Sequence, residues 1–402
     1  TSSEPPEAPE ESTPEPAPAV TPSAPAPAPK HSEAPAANEG SQGEEGASSP
    51  AKGATKLPAI KHVFVVMLSN EPYAATFGPE SSAPYLAHTL EKRGELLARY
   101  YAIAHQQLPN GIALLSGQGP TPATAANCPT FADVAPASAG SEGQALGEGC
   151  VYPATTPTLP GQLEVKHETW RAYVQGLGEA GGPPACSHPE PGASDPSATP
   201  PQAQSYATFR NPFVYFHSVI DAPSCAQSDV GLAELDADLA SAKRTPALSY
   251  IVPDLCHDGS PGPCPGGGPG GLPAADSWLQ QVVPKILASP AYKHGGLLVI
   301  TADEAPSSGE FADSSSCCGQ PSHFPNLPAP ASSTLGPEGG GQVGALLLSP
   351  FVKGGVITQE QYDHFSLLRT IEDLFSLKHL GYAGAAKTKS FEPSLFQSKP
   401  SR

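Results

Sequence analysis

Basic residues are scarce in this chain, and it lacks a basic cluster, a long apolar run and a Cys-X-X-Cys pair. It has 21 Lys and Arg against 39 Asp and Glu, a net charge of −18, so we expect no nucleic-acid partner. No apolar run reaches the roughly twenty residues of a membrane-spanning helix, so no transmembrane segment is expected. The lack of a Cys-X-X-Cys pair argues against a structural zinc site.

The first part of the chain also lacks large apolar residues. Residues 1–57 are almost entirely Pro, Ala, Ser, Glu and Gly, and Val20 and Leu57 are the only aliphatic side chains larger than Ala. Such a segment cannot bury enough apolar surface to offset its ordering entropy. We therefore expect residues 1–57 to be a disordered, extended tether. Residues 58–402 are long enough for one large α/β domain.

The eight cysteines indicate an oxidising compartment, because an even number in a Pro-rich, tethered chain is typical of disulfide-bonded proteins. Proximity in sequence favours three pairs, Cys128–Cys150, Cys186–Cys225 and Cys256–Cys264, and leaves Cys317 and Cys318 as awkward neighbours. The alternative is a set of free buried thiols. A chain that begins without Met also resembles a processed secretory protein. We expect an extracytoplasmic location, either secreted or associated with the cell envelope.

Apolar runs of strand length alternate with amphipathic stretches, which indicates an α/β architecture. The predicted strands are His62–Leu68, Ala247–Val252, Leu297–Ile300 and Gly344–Pro350. The main predicted helices are Pro84–Tyr101, Leu159–Leu177, Ala275–Leu287 and Tyr362–Leu377, and a short one includes Ile112–Leu115.

Polar side chains follow three of these strands. They are Asn70 with Glu71, Asp254 with His257 and Asp258, and Asp303 with Glu304, and the last helix adds His364. Ligands bind at the carboxyl ends of the strands in open α/β sheets, and carboxylate oxygens suit divalent cations. Taken singly, Asp258 is also typical of a turn before glycine, and His364 is typical of a surface histidine. Together these residues predict a metal centre at one edge of the sheet.

A series of motifs in fixed order resembles the bacterial phosphoesterase family. They are His62–Met67 with Asn70, Phe77-Gly78, Leu108-Pro109-Asn110, Ser116–Gln118, Gly149–Pro153, Asn211–Ser218, Ser289–Tyr292, Asp303-Glu304 and Tyr362–Asp373. The family includes secreted acid phosphatases, phospholipases C and phosphatidylinositol-3-phosphatases, and it belongs to the alkaline phosphatase superfamily. The resemblance covers nearly everything from Ile60 to Ala383. It implies a central sheet of the alkaline phosphatase type with helices on both faces, and a hydrolase of phosphoric esters.

The resemblance also implies roles for individual residues. A divalent metal ion, whose identity stays open, would be held by Asn70, Asp303 and Glu304 and would activate a Ser or Thr nucleophile. Asp258 and His364 would act with it on the second charge of the phosphate or on the leaving group. The expected substrate is a phosphomonoester or a phospholipid head group.

Three positions depart from the family pattern. Ser69 stands where a metal-binding Glu is expected, Gln107 stands at the nucleophile position, and Ser260 replaces a histidine. A glutamine amide cannot be deprotonated near neutral pH and is no phosphoryl acceptor. A metal-bound water could attack instead, and His105 or Ser116 are weaker candidates for the nucleophile.

Three functions therefore stay open at the level of sequence. The first is an extracytoplasmic phosphoric-ester hydrolase with an atypical site. The second is a catalytically impaired relative, or pseudoenzyme, that binds phosphate, a phospholipid head group or a cell-wall partner. The third is a structural protein tethered to the cell envelope, which only the tether over residues 1–57 supports.

Overall fold

The structure is a computed structural model that describes residues 56–198, 206–264, 267–328 and 339–400. The predicted tether over residues 1–57 lies outside the described residues except at Lys56 and Leu57. Its disorder and its role as a separate segment therefore stay predictions.

The described strands are short to medium in length, and eight of them form one central sheet. In chain order they are β1 (His62–Leu68), β2 (Glu95–Leu97), β3 (Tyr100–Tyr101), β4 (Ala135–Ala139), β5 (Ala145–Glu148), β6 (Trp170–Val174), β7 (Asp229–Gly231), β8 (Leu248–Val252), β9 (Gly296–Ala302), β10 (Ala345–Leu348), β11 (Val356–Thr358) and β12 (Tyr362–Asp363). The order across the central sheet is β11-β2-β10-β9-β1-β8-β6-β7. Only β10 runs antiparallel to its neighbours in this sheet.

Helices fill the connections between the strands. The α-helices are α1 (Tyr73–Phe77), α2 (Gln107–Ser116), α3 (Leu159–Val165), α4 (His217–Ile220), α5 (Cys225–Ser228), α6 (Leu235–Leu239), α7 (Leu272–Ala288), α8 (Pro290–Lys293) and α9 (His364–Leu374). A π-helical turn spans Tyr85–Leu90. Short 3-10 turns span Glu91–Arg93, Thr124–Ala126, Ser141–Gly143, Pro196–Ala198, Thr208–Arg210, Pro212–Tyr215, Leu232–Glu234, Gly381–Gly384 and Pro393–Leu395.

The α/β prediction is confirmed, and the central strands explain why. β1 and β9 pair in parallel from His62 opposite Gly296 to Leu68 opposite Ala302. Both strands are buried almost throughout, as their continuous apolar sequences predict for strands covered on both faces. The sheet therefore carries the core, and the carboxyl ends of its central strands lie side by side.

Two predicted helices are wrong in their second halves. The helix predicted over Leu159–Leu177 ends at Val165, and Trp170–Val174 forms β6 in the central sheet. His167 adopts a φ of 62° between them, which interrupts a right-handed helix. The Trp170 ring stacks on Phe213 at 4.9 Å between centroids, so packing favours the strand over the local helical pattern.

The helix predicted over Pro84–Tyr101 is also wrong in its second half. Only Tyr85–Leu90 and Glu91–Arg93 are helical, and Glu95–Leu97 pairs with β10. Gly94 separates the two parts, and a Cβ at this position would lie 2.4 Å from the carbonyl oxygen of Leu347. The close approach of the two backbones draws this short apolar segment into the sheet.

All eight cysteines form disulfides, and the three predicted pairs are confirmed. They are Cys128–Cys150, Cys186–Cys225 and Cys256–Cys264. The neighbours Cys317 and Cys318 are also bonded to each other, so the alternative of free thiols is wrong. Within the described residues, no helix is both long enough and apolar enough to cross a membrane.

Candidate functional site

The carboxyl ends of β1, β8 and β9 bring three polar loops together. The backbone N–H of Asp303 donates to the carbonyl of Leu68 at 2.9 Å. The backbone N–H of Ser69 donates to the carbonyl of Asp258 at 2.7 Å. Each loop is thus hydrogen-bonded to a neighbour where its strand ends. The edge of the sheet predicted to hold ligands is therefore a connected structure of buried polar groups.

Glu304 connects this edge to the start of α2. Its carbonyl accepts from the backbone N–H of Glu71 at 3.1 Å. Its carboxylate accepts from the backbone N–H of Gln106 at 2.6 Å and lies 3.7 Å from the imidazole of His105. The loop that contains Asn70 and the helix that begins at Gln107 therefore meet at one carboxylate.

Gln107 is the first residue of α2, and its side chain is held by a neighbouring amide. Nδ2 of Asn127 donates to Oε1 of Gln107 at 2.7 Å and to Oε1 of Gln106 at 3.0 Å. Oδ1 of Asn127 accepts from the backbone N–H of Leu108 at 3.1 Å. Among the described residues, none accepts a hydrogen bond from Nε2 of Gln107. The position at which the family resemblance predicts a nucleophile thus carries an anchored amide, and its Nε2 is still available as a donor.

The loop before α2 is fixed by Asn110. The Asn110 side chain accepts from the backbone N–H groups of Ile103 and Ala104, and donates to the carbonyls of Ala104 and Gln106, at 2.6 to 3.2 Å. Gln106 itself has a φ of 72°, a conformation that is costly for a residue with a side chain. Asn110 and Glu304 hold this conformation from two sides.

Arg210 is the site residue that the sequence analysis did not identify. Its Nη1 donates to Asp303, its Nε lies 3.2 Å from Oδ2 of Asp258, and its Nη2 donates to the carbonyl of Met67 at 2.9 Å. The side chain is buried. One signal was available, since Arg210 is the single charged residue between Tyr206 and Phe216, directly before the motif that begins at Asn211.

Burial shifts the pKa values of the carboxyl groups upward. It raises the pKa of Glu71 to about 9, with a further contribution from the charge of Asp258. Gly259 allows the close approach that buries Glu71, because a Cβ on Gly259 would lie 2.4 Å from Oε1 of Glu71. Burial also raises the pKa of Asp258 and Asp303, and the guanidinium of Arg210 opposes both shifts. The carboxyl groups of the site are therefore buried away from water, which favours their protonated forms.

His364, the first residue of α9, is fully buried and contacts the backbone of Asp303. Its Nε2 is 3.0 Å from the carbonyl oxygen of Asp303, and its Nδ1 is 2.9 Å from the hydroxyl of Tyr100. Burial lowers the pKa of His364 to about 4, so the imidazole is neutral at pH 7. These contacts let His364 position the backbone of Asp303. The catalytic roles predicted for His364, Asp258 and the Gln107 position stay predictions.

The residues present fit a divalent cation poorly. Asp303 and Asp258 are already paired with Arg210, and Ser69 offers a hydroxyl where the family pattern has a carboxylate. In the described ranges, the groups of three or more His, Cys, Asp or Glu whose ligand atoms lie within 4.8 Å of one another all include a disulfide-bonded cysteine. Glu304 belongs to none of these groups. The metal role predicted for Asn70, Asp303 and Glu304 stays a prediction that only a binding measurement tests.

Known proteins resemble this chain across most of its length. The sequence model of the Phosphoesterase family matches residues 80–378. A phosphatidylinositol-3-phosphatase of Mycobacterium tuberculosis is 24% identical over 335 residues, which are 82% of each chain. A probable acid phosphatase of Kluyveromyces lactis is 22% identical over 80% of this chain and 60% of its own. An alkaline phosphatase superfamily structure from Vibrio parahaemolyticus aligns with 86% of this chain and 71% of its own, with 12% identity and a TM-score of 0.46.

Proposed function

The chain belongs to the Phosphoesterase family, and from that premise we propose that it binds phosphate esters outside the cytoplasm and hydrolyses them slowly or not at all. The observation that carries this proposal is the state of Gln107. Its position at the start of α2, beside Glu304 and the ends of β1 and β9, is where the family pattern has a hydroxyl nucleophile. The family resemblance therefore supports a retained fold around this position without its reactive group.

The chemistry of Gln107 supports binding without transfer. Its amide cannot form a covalent phosphoryl intermediate, because it has no hydroxyl and does not ionise near neutral pH. Its Nε2 can donate a hydrogen bond to a phosphate oxygen, since Oε1 is already engaged by Asn127. Removal of the serine nucleophile of a serine protease lowers kcat by about 10⁶, which gives the scale of the loss expected here. A protein that keeps this site and lacks the nucleophile is expected to bind a phosphate ester and to turn it over slowly or not at all.

Two further observations support the location and the ligand. Four disulfides are stable in an oxidising compartment, which supports an extracytoplasmic site of action. The similar protein of Mycobacterium tuberculosis is named as a phosphatidylinositol-3-phosphatase, which supports a phosphorylated head group as the ligand. Attachment to the cell envelope through residues 1–57 is part of the same proposal and rests on composition alone.

The slow hydrolysis that this proposal allows has one candidate general base, His257, and one contact supports it. Nδ1 of His257 lies 2.6 Å from Oδ1 of Asp254, and this bond raises the pKa of His257. A carboxylate-oriented imidazole of this kind can accept a proton from an attacking water. His257 and Asp254 lie in the loop after β8 that also contains Asp258. Water would then replace the missing hydroxyl.

The proposal is tested by measuring binding and turnover on the same preparation. The full chain is titrated with p-nitrophenyl phosphate and with vesicles that contain phosphatidylinositol 3-phosphate, with Mg, Mn, Ca or Zn salts added in turn. We expect saturable binding and a kcat of about 10⁻³ s⁻¹ or lower. A kcat in the range of ordinary phosphatases overturns the hypothesis of slow or absent hydrolysis. A lack of binding to both ligands overturns the proposal as a whole.

A further inference from the structure

We propose that Arg210 takes the place of a divalent cation at the strand ends, so that the site is assembled around a guanidinium and not around a metal ion. This inference concerns the charge that holds the site together. It does not depend on whether a phosphate ester binds there.

The contacts of Arg210 join the ends of three strands. Nη1 donates to Asp303 after β9, Nε faces Asp258 in the loop after β8 at 3.2 Å, and Nη2 donates to the carbonyl of Met67 in β1 at 2.9 Å. A planar guanidinium offers several N–H groups in fixed directions, which suits it to pair with two carboxylates at once. A cation at the same place would have to make these same connections.

Arg210 is held where it is by its own surroundings. Its backbone N–H donates to the carbonyl of Ala207 in the 3-10 turn Thr208–Arg210. The next residue, Asn211, donates to both carboxylate oxygens of Asp229 at 3.0 and 2.9 Å. The Arg210 side chain is 3% exposed, and those of Asp258 and Asp303 are no more so. Because unpaired buried charges are strongly destabilising, loss of the guanidinium would favour either a replacement cation or protonation of Asp258 and Asp303.

The same geometry disfavours a metal ion beside Arg210. A divalent ion bound to the carboxylate of Asp303 would lie within a few ångströms of the guanidinium, and the two positive charges would repel in a buried environment. One group still favours an added ligand, because Oδ1 of Asp303 has no hydrogen-bond partner among the described residues. Because Oδ1 of Asp303 could accept a ligand, the inference is tested by measuring metal binding directly.

The test measures metal content and thermal stability, not activity. The full wild-type chain is treated with EDTA, incubated with MgCl₂, MnCl₂, CaCl₂ or ZnCl₂, and desalted. Metal per chain is then measured by mass spectrometry, and the melting temperature is measured with and without each ion. We expect the wild type to retain well under one equivalent and to show no shift in melting temperature.

The variant Arg210→Ser should reverse this result. Removal of the guanidinium opens space beside two carboxylates, so we expect the variant to retain one equivalent of at least one ion. Its melting temperature should rise by roughly 5 °C when that ion is present at a hundred times its Kd. Arg171→Ser is the matched control, because it removes the ion pair of Arg171 with Asp238 away from the strand ends. It should lose stability and gain no response to metal.

Two results would overturn the inference, and the first is a wild-type chain that retains one equivalent of metal and loses it in the variant Asp303→Asn. Metal that is retained equally by wild type and Asp303→Asn is bound elsewhere, and the inference stands. The wild-type measurement decides the question even where Arg210→Ser does not fold. A folded Arg210→Ser variant that binds none of the four ions also overturns it, because Asp258 and Asp303 then cannot form a cation site.

Discussion

The carboxylate of Glu304 accepts a hydrogen bond of 2.6 Å from the backbone N–H of Gln106. This bond joins the end of the central strand β9 to the residue before helix α2. Gln106 has a positive φ of 72°, so the chain needs an external partner to keep this conformation. Glu304 therefore acts on the position of Gln107 through the backbone, whatever ligand the site binds.

Replacing Glu304 with Ala should loosen the start of α2. The partly buried N–H of Gln106 would lose its acceptor, which costs up to about 1 to 3 kcal/mol for a buried donor. We expect the free energy of unfolding, measured by urea denaturation, to fall by this amount. Glu310→Ala is the control, because Glu310 is exposed and should change stability little. Equal stability of both variants would show that Glu304 does not hold the loop.

Restoring a hydroxyl at position 107 should not restore activity by itself. The variant Gln107→Ser supplies the nucleophile but leaves Ser69 and Arg210 unchanged, so the hydroxyl has no metal to lower its pKa. The triple variant Gln107→Ser, Ser69→Glu, Arg210→Ser should gain at least about 10²-fold in turnover of p-nitrophenyl phosphate when a divalent ion is added.

Gln107→Ala in the same triple background is the matched control. It truncates the side chain equally and supplies no hydroxyl, so it should stay inactive. Turnover at ordinary phosphatase rates by the single variant Gln107→Ser would contradict the prediction, because it would mean that the cation is already present.

The proximity of the loops that contain Asn70, Asp303 and Glu304 could be predicted from the sequence because it follows from a general property of parallel sheets. Residues that follow adjacent parallel strands lie at one edge, so strand recognition is enough. Arg210 could not be placed in this way. It lies 93 residues from Asp303 and 143 from Met67, in a turn whose position no periodicity indicates. The predicted helix through Trp170 failed for a related reason, since its packing partner Phe213 is also distant in sequence.

The stability of the fold should depend on pH through Glu372. Burial is the main cause that raises the pKa of this residue from 4.5 to about 8. Its Oε1 accepts from the backbone N–H of Leu380 at 2.9 Å. Between these two pKa values the folded state binds the proton and the unfolded state does not. The contribution of Glu372 to stability is therefore present below about pH 4.5 and is lost as the pH rises towards 8.

The variant Glu372→Gln should remove this dependence, because a glutamine keeps the acceptor and does not titrate. The stability of the variant relative to wild type should increase with pH, with a slope approaching about 1.4 kcal/mol per pH unit, and should level off above pH 8. Urea denaturation at several pH values measures the difference. Glu168→Gln, at an exposed position, is the matched substitution against which the slope is compared. A constant difference between Glu372→Gln and wild type would contradict the assignment.

The disulfides should contribute more to stability when they close a longer chain segment, although the increase is only logarithmic. Cys186 and Cys225 are separated by 39 residues, and Cys256 and Cys264 by 8. Loop-closure entropy then predicts a loss of about 4 kcal/mol for the double serine variant of the first pair and about 2.6 kcal/mol for that of the second. Thermal unfolding of both variants measures the order. A larger loss for the short pair would show that Cys256–Cys264 acts on the native loop beside Asp258, and not through the unfolded chain.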